Sequence, residues 1–78
     1  MPRYRFHLYD DVETRDFAGR EFADIAAARA DAIGNARSVM AADIVDKGEI
    51  TLSHRIELEE DGGELHVIAF RDAVTIHP

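Results

Sequence analysis

The sequence predicts an α+β domain of two layers in the order ββαββ, with one long helix packed on a small, mainly antiparallel sheet. Three observations carry that reading. A single Ala-rich amphipathic stretch runs from Asp24 to Gly48, residues Arg3 to Tyr9 alternate apolar and polar, and Asp61-Gly62-Gly63 punctuates two strand-like runs near the end.

Taken in order, Tyr4, Phe6 and Leu8 fall on one face of the first run and Arg3, Arg5, His7 and Tyr9 on the other. Period two with aromatic and aliphatic residues describes a strand with one face on the core. Asp10-Asp11 is a polar turn, and Val12 to Asp16 is a short second strand. Phe17 to Phe22 then reads as an irregular link turning at Gly19, with Phe17 and Phe22 expected under the start of the helix.

The helix has matching end signals. Asp24 is suited to N-cap, because its carboxylate accepts from the free N–H groups of the first turn. Lys47 puts a cation in the last turn, and Gly48 allows the left-handed C′ conformation. Ile25, Ala28, Ala32, Ala36, Val39 and Met40 recur at spacings of three and four, with Ile33 and Ile44 along one edge. Gly34 is the weak point, at about 1 kcal/mol relative to Ala. At ~1.5 Å per residue the helix is roughly 35 Å long, enough for its C-terminal end to overhang so small a sheet.

Glu49 to Ser53 is either extended connection or strand. His54 to Glu60 follows as a strand with Ile56 and Leu58 inward, and after the hairpin turn Asp61-Gly62-Gly63 its partner is Leu65 to Phe70. A terminal turn begins at Arg71, and Ile76 is expected to tuck back. The last strand is apolar on both faces: Leu65, Val67 and Ala69 on one, Ile68 and Phe70 on the other. Such a strand is usually covered on both faces, and one helix covers only one. The second face is covered by the C-terminal tail or by another copy: a homodimer contact is expected, on an outer sheet face carrying Ile68 and Phe70, and the alternative is that Phe70 packs under its own tail.

Composition narrows the functions. The 78 residues form one domain spanning 1–78, with a modest core. The absence of cysteine removes disulfides, thiolate nucleophiles and thiolate metal sites. No apolar run reaches the ~20 residues of a membrane helix, and the N-terminus lacks the apolar segment of a secretory signal, so a cytoplasmic protein is expected. The net charge of −7 disfavours binding to nucleic acid or an anionic membrane.

The remaining candidates are weak as chemistry. The histidines at 7, 54, 66 and 77 show no metal-ligand spacing, and the acidic clusters lack the Ca²⁺-loop pattern, so no metal and no cofactor is expected. Ser38 and Ser53 have no triad setting, and no Gly-rich phosphate loop precedes a helix; no catalytic residue is assigned and the chain is read as a non-enzyme. Arg3, Arg5 and His7, joined by Arg55 and Arg71, form a basic stripe on the outer face. It is suited to an acidic peptide, a phosphate or a second subunit, or else to cross-strand pairs with Glu57 and Glu59. The candidate binding residues are thus Arg3, Arg5, His7, Arg55, Ile68 and Phe70. The expected partner is a second copy or another protein, and the alternative is a small anion or ligand on the arginine stripe.

The start PRYRFHLYD, the stretch Gly19-Arg-Glu21-Phe22-Ala-Asp24 opening an Ala- and Arg-rich helix, and the ending Phe70-Arg71-Asp72-Ala73 resemble, in that order, a family of small uncharacterised bacterial proteins. That resemblance brings no activity or catalytic residue. A looser similarity is to the N-terminal domain of HicB-type antitoxins, which implies a toxin or other protein partner. The chain has no room for those proteins' appended DNA-binding module.

Overall fold

The computed structural model describes residues 1–78. Strand β1 (Arg3–Tyr9) lies at the centre of an antiparallel sheet with β2 (Glu13–Thr14), β3 (Arg20–Glu21), β4 (Arg55–Glu60) and β5 (Leu65–Ala69), and helix α1 (Ile25–Lys47) packs on one face. The order is β2-β1-β4-β5, with β3 also on β1. The α+β class and the single helix on an antiparallel sheet are those the sequence predicts.

Helix α1 has the predicted ends. The Asp24 side chain accepts from the Ala27 N–H at 2.9 Å, and Gly48 closes the helix at φ 67° with its N–H on the Ile44 carbonyl. Ala28, Ala32, Ala36 and Met40 are its buried residues. Three alanines in that stripe let the helix backbone approach the sheet closely. They meet Tyr4, Ile56, Leu58, Ile68, Phe70 and Ala73, which complete the core. The C-terminal end projects beyond this contact, so Ile44, placed by periodicity on the packing edge, is 52% exposed.

The second strand differs from its prediction in an informative way. It pairs with β1 as two short pieces, Leu8 opposite Thr14 and Tyr4 opposite Arg20. The register slips by two residues between the pieces, so residues 15–19 bulge out and the Phe6 N–H meets a gap. The Asp16 carboxylate fills that gap, accepting from Phe6 at 3.1 Å and from the Ala18 and Gly19 N–H groups at 3.1 and 3.0 Å. Gly19 turns the chain back at φ 72°, where an added Cβ would sit 2.8 Å from the Tyr4 carbonyl. The link read as irregular therefore contains a short strand, β3. Phe17, expected under the helix, rides on the bulge and is 83% exposed, whereas Phe22 does pack, 5.6 Å from the Phe6 ring.

The faces of β5 are the reverse of the expected ones. Ile56 stands opposite Ile68 and Leu58 opposite His66, so Ile68 and Phe70 join the helix-facing side and are buried. Leu65 and Val67 instead point outward, at 51% and 53% exposure. The cause is the length of the turn. Glu60 pairs with Glu64 across three residues, Asp61, Gly62 and Gly63, with both glycines at positive φ. A two-residue turn on the glycines alone would shift the register by one and send every β5 side chain to the other face. Beyond β5, Phe70–Asp72 forms a 3₁₀ turn, which Arg37 ties to the helix by donating to the Ala73 carbonyl at 2.7 Å. Ile76 does not tuck back and is 62% exposed. No helix is long and apolar enough to cross a membrane.

Candidate functional site

Arg3, Arg5 and His7 occur at alternate positions of β1, and Arg55 lies opposite Tyr9 on β4, so all four share the outer face. Each already has a partner there. Arg3 donates to the Ala18 and Gly19 carbonyls and lies 3.6 Å from Glu21. Arg5 pairs with Asp61 at 3.1 Å, and Arg55 pairs with Glu57 at 2.9 Å while stacking over the Tyr9 ring at 4.2 Å. His7 is covered by the bulge: the Asp16 N–H donates to Nδ1 at 3.0 Å, and Nε2 lies 3.0 Å from a Glu59 carboxylate oxygen. Because Nδ1 accepts, the proton of the neutral ring sits on Nε2 and is donated to Glu59. The stripe, expected either as a binding surface or as ion-paired within the sheet, takes the paired form, and its histidine is buried. Ile68 and Phe70, the other two candidate contact residues, lie on the opposite side of the sheet in the core.

Two carboxylates register this arrangement. The hydrogen bond from His7 holds Glu59 below the ordinary carboxylate value, against the opposing effect of burial. At Asp16 burial raises the value, but the backbone donors of Gly19, Phe6 and Ala18 outweigh it and the net shift is downward.

What the outer face leaves uncovered is at β5. Alternation of an antiparallel ladder assigns each residue's main-chain groups to one side. Glu60 donates to the Glu64 carbonyl and Phe70 to the His54 carbonyl, so the even-numbered residues of β5 turn their N–H and C=O toward β4. Leu65, Val67 and Ala69 turn theirs toward the free edge, where the sheet has no further strand. No charge or proline interrupts that edge between Leu65 and Ala69, although such edges are commonly blunted by one or the other.

A second feature lies on the helix side. A helix about 10 Å across covers little more than two strands spaced ~4.8 Å apart. Helix α1 sits mainly over β4 and β5, leaving a groove of about 330 Å³ along β1. Phe6, Leu8, Val39 and Ile56 line it, with Asn35 and Ser38 as its polar residues.

A family profile for a domain of unknown function (DUF6894) matches residues 3–71, from the first residue of β1 into the 3₁₀ turn. The chain belongs to this family. No curated protein and no solved structure matches it.

The DUF6894 match takes in every strand and the helix, so both the β5 edge and the groove are parts of the family domain. Within this DUF6894 chain, Glu60, Glu64 and His66 converge at the base of the β4–β5 hairpin, each offering a ligand atom within 4.8 Å of the others. His66 Nε2 lies 3.7 Å from Glu60 and 3.6 Å from Glu64, and Glu64 is exposed. The three form an ion-pair cluster on protonation of the ring; as a metal site the set is a ligand short of the four a closed zinc site uses.

Neither the edge nor the groove was found by reading the sequence. The edge depends on strand order, and the groove on which strands the helix covers. One usable signal was present for the groove: an inner face three strands wide facing a single narrow Ala stripe.

Proposed function

We propose that this domain is a protein-association module without catalytic activity, acting in the cytoplasm through the outer sheet face where it ends at β5. The observation that carries the reading is the pair Leu65 and Val67, each half exposed on an edge strand with unpaired main-chain groups. Exposed apolar side chains are ordinary when scattered, but here they coincide with free backbone donors and acceptors, the combination used in recognition by strand addition. The contact surface thus moves from Ile68 and Phe70 to Leu65 and Val67, while the kind of function stays as the sequence suggested. The partner is a second copy or a heterologous protein; an antitoxin-like role is the special case in which that protein is a toxin.

The small-anion alternative is left with no free guanidinium among Arg3, Arg5 and Arg55, since each already faces a carboxylate. The net charge of −7 argues against nucleic acid. Native mass spectrometry of the protein taken at its natural level from its own cells tests the proposal. A complex of identical chains, or a defined complex with one other protein, supports it; a bare monomer overturns it.

A further inference from the structure

We infer that β5 pairs antiparallel with β5 of a second copy, about a two-fold axis at Val67, joining two sheets into one. The inference rests on the association reading and gives it a partner and a register. It begins with the backbone. Leu65, Val67 and Ala69 each direct one donor and one acceptor to the free edge, and main-chain groups in that spacing are matched by another extended strand. The outward residues are odd-numbered, and the middle one, Val67, is the midpoint of the strand. Centring the axis there overlaps the whole of β5 with itself. Val67 meets Val67 of the other copy, and Leu65 meets Ala69 in both directions. Moving the centre to His66 would oppose Ala69 to Gly63, which is in the turn at φ 94°, and moving it to Ile68 would oppose Leu65 to Arg71, which is in the 3₁₀ turn; both lie outside the strand.

The outer-face side chains agree with this register. On the outer face it brings Leu65, Val67 and Ala69 of the two copies together as one apolar strip, covering the two residues the monomer leaves half exposed. A parallel arrangement would place like residues beside one another, Glu64 against Glu64 and Arg71 against Arg71.

Cysteine cross-linking tests it, because the chain has no cysteine of its own. In a hydrogen-bonded antiparallel pair the Cα atoms lie about 5.5 Å apart, within the range a disulfide spans. Val67→Cys in the full chain is therefore expected to form a disulfide-linked dimer readily under mild oxidation. Glu57→Cys, one strand in from the edge on the same face, is expected to do so on the order of tenfold more slowly. Equal rates at the two positions, in a protein that sedimentation shows to be dimeric, would overturn the β5 pairing and leave the association reading standing. A wild-type chain that sediments as a monomer at every concentration would overturn self-pairing, and a heterologous complex in native mass spectrometry would then still uphold association.

Discussion

Asp16 closes the break in the second strand, and replacing it measures what that break is worth. In Asp16→Ala the Phe6 N–H, part-buried at the gap between β2 and β3, loses its acceptor, as do the more exposed N–H groups of Ala18 and Gly19. The exposed pair turns to water at little loss. An unsatisfied part-buried donor costs about 1–3 kcal/mol, so a destabilisation of about 2 kcal/mol is expected. For a domain of this size that lowers the thermal midpoint by roughly 8–16 °C. Asp16→Asn keeps an acceptor oxygen without the charge and should fall about midway. The pH dependence has a definite sign. Asp16 titrates below its ordinary value in the folded protein, so its contribution is complete above the unfolded value of about 3.9 and disappears as pH falls through the lowered folded value. The gap between wild type and Asp16→Asn should therefore close in acid. Urea unfolding followed by circular dichroism at neutral and acid pH reads both effects, and amide exchange at Phe6 locates them. An Asp16→Ala variant within about 0.5 kcal/mol of wild type at neutral pH would refute the bulge as a stabilising device.

Three further outcomes are expected. Gly19→Ala combines a positive φ with a Cβ forced to 2.8 Å from the Tyr4 carbonyl, whereas Gly62→Ala meets nothing within 4 Å; thermal melts should show the first losing at least about 2 kcal/mol and the second clearly less. Phe70, fully buried against the helix, should cost about 3–5 kcal/mol as Phe70→Ala, and Phe70→Asp should abolish the helical circular dichroism signal at room temperature. A Phe70→Asp protein that stays folded would return Phe70 to the surface. Zinc should leave the thermal midpoint unchanged, because Glu60, Glu64 and His66 supply three ligands, one of them exposed; a saturable upward shift abolished by His66→Ala would show that the cluster binds metal.

How much of this was legible in the sequence divides along local and non-local lines. The limits of the helix were written in Asp24 and Gly48, and its buried stripe in the spacing of Ala28, Ala32, Ala36 and Met40, because caps and periodicity act within a few residues. The core face of β1 and the inward Ile56 and Leu58 followed from period two. The faces of β5 did not, since a strand apolar on both sides carries no phase of its own. Its phase is set by whether the Gly62-Gly63 turn spans two residues or three. The broken second strand was hidden because Asp16 substitutes for a main-chain partner across ten residues. The same bulge buries His7, which period two had placed in the open.

For the site, the residues of the basic stripe and their shared face were readable, and so was the bland alternative of pairing with Glu57 and Glu59 within the sheet, which His7 follows across strands with Glu59 and Arg55 follows along its own strand with Glu57. Arg5 found its carboxylate at Asp61 instead. What remained hidden was the exposed edge. Strand order places β5 last, and no sequence pattern short of the complete topology shows which of four or five strands lacks a neighbour.

The central claim is that two copies associate through the β5 edge, and sedimentation velocity of wild type beside Val67→Lys tests it most directly. Val67 is half exposed, so the lysine should leave the fold and thermal midpoint nearly unchanged while setting two like charges against each other at the two-fold. The account predicts a wild type that shifts from monomer to dimer with concentration and a variant whose dissociation constant rises on the order of tenfold or more. Identical sedimentation of the two proteins, whether both monomeric or both dimeric, would contradict it.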